Sequence, residues 1–98
     1  MIIKDLLHKL ETSSHPMAGA LHAGDHFRVL VLTFKKGMTL KEHKTHLPSR
    51  LTVINGKVVY KEDDKNIELS RYDHTDIPTE ILHSVEALED SVCFLTQG

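Results

Sequence analysis

The sequence predicts an all-β fold, a sandwich or barrel of roughly seven to nine short strands. Three observations carry this. Turn signals recur about every 6–12 residues. The runs between them are rich in β-branched and aromatic side chains, Phe27 to Lys35 (FRVLVLTFK) most of all. Helical spacing of apolar residues occurs only at the start of the chain. The 98 residues are expected to form one domain, 1–98, with an N-terminal segment 1–16 and a barrel 17–98.

In order, Ile3, Leu6, Leu7 and Leu10 fit a short amphipathic helix, with a strand as the alternative. Thr12 to Pro16 is a connector, Met17 to His22 a short strand, and Ala23-Gly24-Asp25 a turn. Phe27 to Lys35 is a strand, which Lys36-Gly37 breaks. Leu51 to Ile54 and Lys57 to Lys61 flank Asn55-Gly56, which predicts a type I′ hairpin with positive φ at its turn. A charged turn spans Glu62 to Asn66, followed by a strand from Ile67 to Arg71. Asp73 to Pro78, Ile81 to Glu86 and Ser91 to Thr96 complete the set.

Acidic residues number 14 and basic ones 12, so charge gives no reason to expect nucleic acid or an anionic membrane as a partner. Apolar runs such as Val29 to Leu32 are too short to span a bilayer. MIIKDLLHKLE is too charged for a secretory signal, and a cytoplasmic location is expected. The one cysteine, Cys93, lies in an apolar run without a neighbouring histidine and reads as a buried core thiol. Eight histidines are an excess that raises the expectation of a site. Of these, His8, His15, His22 and His26 read as surface or interface residues.

Residues 37–87 resemble the cupin superfamily. Its first motif reads G, five residues, H, one residue, H, three or four residues, E, six residues, G. Gly37, His43 and Gly56 stand in place. Its second motif reads G, five residues, P, one residue, G, two residues, H, three residues, N. Pro78 and His83 stand in place. Thr45 and Ser49 replace the second histidine and the glutamate of the first motif. Tyr72, Glu80 and Ala87 replace the two glycines and the asparagine of the second. The resemblance implies a small jelly-roll β-barrel.

The resemblance also implies a metal held by three histidines and one glutamate, of which only His43 and His83 keep their positions. His46 is the third candidate ligand. Strand parity turns it outward unless a bulge or coil follows Thr45. The cofactor is thus one divalent ion (Zn, Fe, Mn or Ni) at His43, His46 and His83, or none. Thr45, Ser49, Arg50, His74 and Glu80 are candidate pocket residues, with Arg50 suited to a carboxylate. Tyr60 reads as core or rim packing, with a pocket acid as the alternative. The expected function is a cupin barrel of unspecified activity; if it is an enzyme, the resemblance implies metal-dependent, dioxygenase- or isomerase-like chemistry on a small organic substrate. The alternative is a metal-free barrel that binds or senses a small molecule. A homodimer is expected, because an open sheet leaves edges to cover.

Overall fold

The computed structural model describes all residues, Met1–Gly98. A helix α1 (Ile2–Leu10) precedes nine strands: β1 (Met17–Ala23), β2 (Arg28–Phe34), β3 (Thr39–His43), β4 (Ser49–Asn55), β5 (Lys57–Glu62), β6 (Lys65–Ser70), β7 (His74–Ile77), β8 (His83–Ala87) and β9 (Ser91–Gln97). The first sheet has the order β1-β2-β9-β4-β7 and the second β3-β8-β5-β6. All neighbours are antiparallel. This is the all-β jelly roll expected from the sequence, and its N-terminal element is the helix rather than the strand.

Alternation places one face of each sheet in a shared core. The first sheet contributes Leu32, Phe34, Leu51, Val53, Cys93 and Leu95. The second contributes Val58, Tyr60, Leu69, Val85 and Ala87. Burial pushes the Cys93 thiol up to about 12, which makes it an inert packing group. No helix is long and apolar enough to cross a membrane.

Leu6 and Leu10 of α1 are buried, and Leu7 of the same helix is 40% exposed. The helix lies on the outer face of β1 and β2. A Cβ at Gly19 would stand 2.9 Å from Ile2 Cδ1 and 3.4 Å from Leu6 Cδ1, so glycine lets the helix approach the sheet. Val31 pairs with Gly19 and is fully buried on this outer side. The carbonyl of Glu11, at the C-terminal end of the helix, accepts a hydrogen bond from Lys35 Nζ at 2.8 Å, a cation placed at the negative end of the helix dipole.

The expected hairpin at Asn55-Gly56 is not formed. β4 belongs to the first sheet and β5 to the second, so the chain turns a corner between sheets there. Gly56 has φ 89° and Asn55 has no positive φ, which excludes the type I′ turn. The corner packs against the β8–β9 connection. Lys57 N–H donates to Ser91 Oγ (3.0 Å), and Leu88 N–H donates to the Lys57 carbonyl (2.9 Å). The true hairpin joins β5 to β6 through Asp63-Asp64, where Asp63 has φ 49°.

Tyr72 (φ 75°) and Glu80 (φ 63°) keep the left-handed backbone at the two positions where the second motif has glycine. Each such residue costs about 1–2 kcal/mol. The Tyr72 bend is held by backbone hydrogen bonds from Tyr72 N–H to Val53 O (2.7 Å) and from Val53 N–H to Asp73 O (2.9 Å). The Glu80 bend is held by its own N–H on Thr45 O (2.9 Å). Strain of this kind persists where surrounding structure over-determines it.

Gly37 and Gly56 share φ 89° but differ in surroundings. A Cβ at Gly37 meets nothing within 4 Å, whereas one at Gly56 would lie 2.3 Å from the Asp90 carbonyl oxygen. Gly37→Ala is expected to cost only the backbone strain, about 1–2 kcal/mol. Gly56→Ala adds a backbone clash and is expected to cost at least about 3 kcal/mol. Urea unfolding of both variants checks the difference, and equal losses would contradict it.

Candidate functional site

One end of the sandwich collects the chemistry. Arg28 and Ser49 both pair with Gln97, Ser49 pairs with Ile77, and His43 and Glu62 both pair with His83. The connections after β1, β3, β5 and β7 therefore gather at this end and form the mouth of the barrel.

His43 reaches the interior through an irregularity in β3. Leu40 pairs with Val85 and His43 with His83, so β3 carries one residue more than β8 between the two pairs. A regular strand would turn Leu40 and His43 to opposite faces. The bulge lets both face inward. His83 needs no such device, because it shares its parity with buried Val85 and Ala87 on β8.

The two imidazole rings lie 4.2 Å apart between centroids, tilted by 59°. His43 Nδ1 is 2.9 Å from the Lys41 carbonyl oxygen, and His83 Nδ1 is 3.1 Å from that of Ile81. A carbonyl only accepts, so each ring donates Nδ1–H and carries a lone pair on Nε2. Burial disfavours the His83 imidazolium and lowers its pKa. The Ile81 carbonyl and Glu62 oppose this, and His43 reinforces it. The Nδ1 contacts leave Nε2 as the remaining polar atom of each ring.

Tyr60 stands beside His83, 5.8 Å between ring centroids, and is fully buried. Its hydroxyl donates to Glu62 Oε2 at 2.5 Å. Burial, and then the Glu62 carboxylate, raise the phenol pKa far above its ordinary value. Tyr60 is therefore a packing and anchoring group rather than an acid.

A cavity of about 380 Å³ opens at the mouth between β3 and the β1–β2–β9 side of the first sheet. Its walls are Ala18, Leu30, Leu32, Leu40 and Leu95, and His43 projects into it. Thr45, His46, Leu47, Lys44, Arg28 and Gln97 complete the lining.

The other candidates take separate places. His46 does not join His43 and His83. The chain leaves β3 after His43 and runs without strand structure to Ser49, yet this coil does not turn His46 toward the pair: it lies at the exposed rim with Nδ1 2.6 Å from Glu80 Oε1. Thr45 and Ser49 are buried, but both hydroxyls donate to the Leu47 carbonyl (3.0 and 2.9 Å) and shape the loop. Arg50 points outward, between buried Ser49 and Leu51, and pairs with Asp76 (Nε to Oδ1, 2.7 Å). That pair raises the Arg50 pKa and lowers that of Asp76, and solvent screens it. His74 is exposed on the same outer face, where its partner in register is Thr52.

A resident metal would need three or four donors. His43 and His83 supply two. Glu62, opposite His83 in register, has one carboxylate oxygen engaged by Tyr60. No three His, Cys, Asp or Glu side chains converge in a way that could hold a metal ion. The donor set does not fit a divalent ion held by protein side chains alone.

Two mouth residues are missed by motif and turn signals. The charged run at Glu62 reads as a turn, yet Glu62 continues the inward alternation of Val58 and Tyr60. Arg28 lies two residues before Leu30 and so shares its inward face. In both cases parity with neighbouring apolar positions is the available signal.

The sequence matches no family model, and no curated protein matches it. Solved structures do. A cupin superfamily protein from Desulfitobacterium hafniense superposes with TM-score 0.80 at 18% identity, over 87% of this chain and 78% of that one. An RmlC-like cupin from Desulfovibrio desulfuricans gives TM-score 0.79 at 23% identity, over 86% and 82%. A cupin-2 domain protein from Shewanella frigidimarina gives 0.75 at 15%, over 96% and 89%. The likeness is one of architecture: the chain has the cupin fold that its motifs imply.

The lowered pKa of His83 sets a pH dependence. Above the unfolded value of 6.5, the ring is neutral in both states. Below it the unfolded chain binds a proton that the folded chain resists, so stability falls as pH drops. Urea unfolding from about pH 7.5 to about pH 5 is expected to show this loss. His83→Gln is expected to flatten the slope, whatever its stability at neutral pH. An unchanged slope would contradict the assignment.

Proposed function

We propose that this cupin-fold protein binds a small organic molecule in the mouth cavity without a resident metal ion. One observation carries the reading: an apolar cavity of about 380 Å³ ends on His43, whose Nδ1 is taken by the Lys41 carbonyl and whose Nε2 is left for a ligand, with buried His83 packed behind it. Such sites combine mostly apolar walls with a few placed polar groups. The chemistry available to His43 is acceptance of a hydrogen bond, or of a proton, from a bound hydroxyl. The metal-dependent alternative lacks its third and fourth protein ligands.

Protein purified without a tag is expected to carry far less than one metal ion per chain by elemental analysis. A small-molecule screen by ligand-observed NMR is expected to give hits that are lost in Leu40→Trp, which fills the cavity. Near-stoichiometric metal removed by His43→Ala would overturn the metal-free reading. Hits that bind wild type and Leu40→Trp equally would overturn the cavity as the site.

The protein pairs with a second copy through the edge of β1. This strand, MAGALHA, has one unpaired edge, no Lys, Arg, Asp or Glu, and an exposed Leu21. Unprotected edges of this kind invite strand pairing. Sedimentation at micromolar concentration is expected to give a dimer that Leu21→Lys dissociates, and a wild-type monomer would remove the claim.

A further inference from the structure

We infer that the ligand of the mouth cavity is an amphipathic anion, an apolar body bearing one carboxylate-type group that Arg28 and Lys44 receive. The inference rests on the cavity being a ligand site and adds the chemical class of the molecule that enters it.

The lining holds two cations, Arg28 and Lys44, and no carboxylate. Neither cation belongs to an ion pair, whereas Arg50, Lys57 and Lys61 each have an acidic partner. Asp25, in the hairpin before Arg28, shares a neighbouring cleft with it, but the two form no ion pair within 4.0 Å. The two cations therefore stand at the entrance of an apolar cavity without a direct acidic partner, while the carboxylate at the rim, Glu80, is engaged by His46. In such a place an anion is attracted and a cation repelled.

Arg28 is also held in position. Its Nε donates to Gln97 Oε1 at 2.6 Å. Gln97 is 7% exposed, and its Nε2 donates to buried Ser49 Oγ at 3.2 Å. The Ser49 hydroxyl in turn donates to the Leu47 carbonyl at 2.9 Å. This chain engages Nε and leaves both terminal amino groups of Arg28 without a protein acceptor. A guanidinium fixed in this way loses little freedom on receiving a carboxylate, which favours binding.

The walls define the apolar part of the ligand. Leu30 and Leu32 continue inward along β2 from Arg28, and Leu95 of β9 stands beside Leu30 on the same face of the sheet. An inorganic anion would leave this surface wet, whereas a short hydrocarbon body would cover it. The volume is near the low end for organic ligands, which sets a compact size.

The test uses the full chain and three probes of one length: hexanoate, 1-hexanol and hexylamine, titrated by NMR. Hexanoate is expected to bind about tenfold more tightly than 1-hexanol, and hexylamine more weakly than either. Arg28→Gln is expected to bring hexanoate to within about twofold of 1-hexanol, both measured on the same variant. Lys44→Gln, on an exposed loop, repeats the test without touching the Gln97 chain. If 1-hexanol or hexylamine matches hexanoate, or if both variants keep the preference, the anion assignment is overturned and the cavity stands. If none of the three probes perturbs Leu30, Leu40 or Leu95, the cavity reading falls with it.

Discussion

The pairing of β9 with two partners organises the first sheet and, through it, the mouth. β9 bonds to β2 along one edge and to β4 along the other. Its inward residues Cys93 and Leu95 lie in the core, and Gln97 continues their parity to the mouth. There the Gln97 amide bridges the two flanking strands, accepting from Arg28 and donating to Ser49. The ladder that fills the core and the polar chain that orients Arg28 are successive parts of one strand.

Irregular backbone makes the rest of the site. The bulge in β3 turns His43 inward, the left-handed Glu80 carries the carboxylate that meets His46, and the Gly56 corner moves the chain between sheets. Each departs from regular geometry where the barrel must bend or re-aim a side chain. The imidazole pair is steadied by the carbonyls two residues before each ring, so the local backbone fixes its orientation.

Much of this is legible in the residues. Apolar runs rich in β-branched and aromatic residues mark the strands at Arg28–Phe34, Ser49–Asn55 and Ser91–Gln97, and helical spacing marks Ile2–Leu10. The Asn55-Gly56 pair misleads because Asn-Gly also serves a corner. Which sheet each flanking strand joins depends on partners distant in sequence, and a local signal does not carry that. His43 and His83 are legible through motif spacing. The place of His46 is not, because it lies in the coil between β3 and β4, where strand parity gives no direction and its ring is drawn to Glu80 from a segment distant in sequence. Arg50 stands next to a motif position and suggests the pocket, yet Ser49 and Leu51 hold the inward positions beside it.

Leu6 and Leu10 of the helix, together with Val31 beneath it, are buried but stand outside the inter-sheet cluster. The molecule therefore has two apolar compartments separated by the thickness of one sheet. Peeling α1 from β1 and β2 opens the small compartment and leaves the large one closed, so the helix forms a cooperative unit of lower opening free energy than the barrel. Amide protons of α1 would then exchange with solvent through this partial opening, while those of β4 and β9 would wait for the whole fold to open.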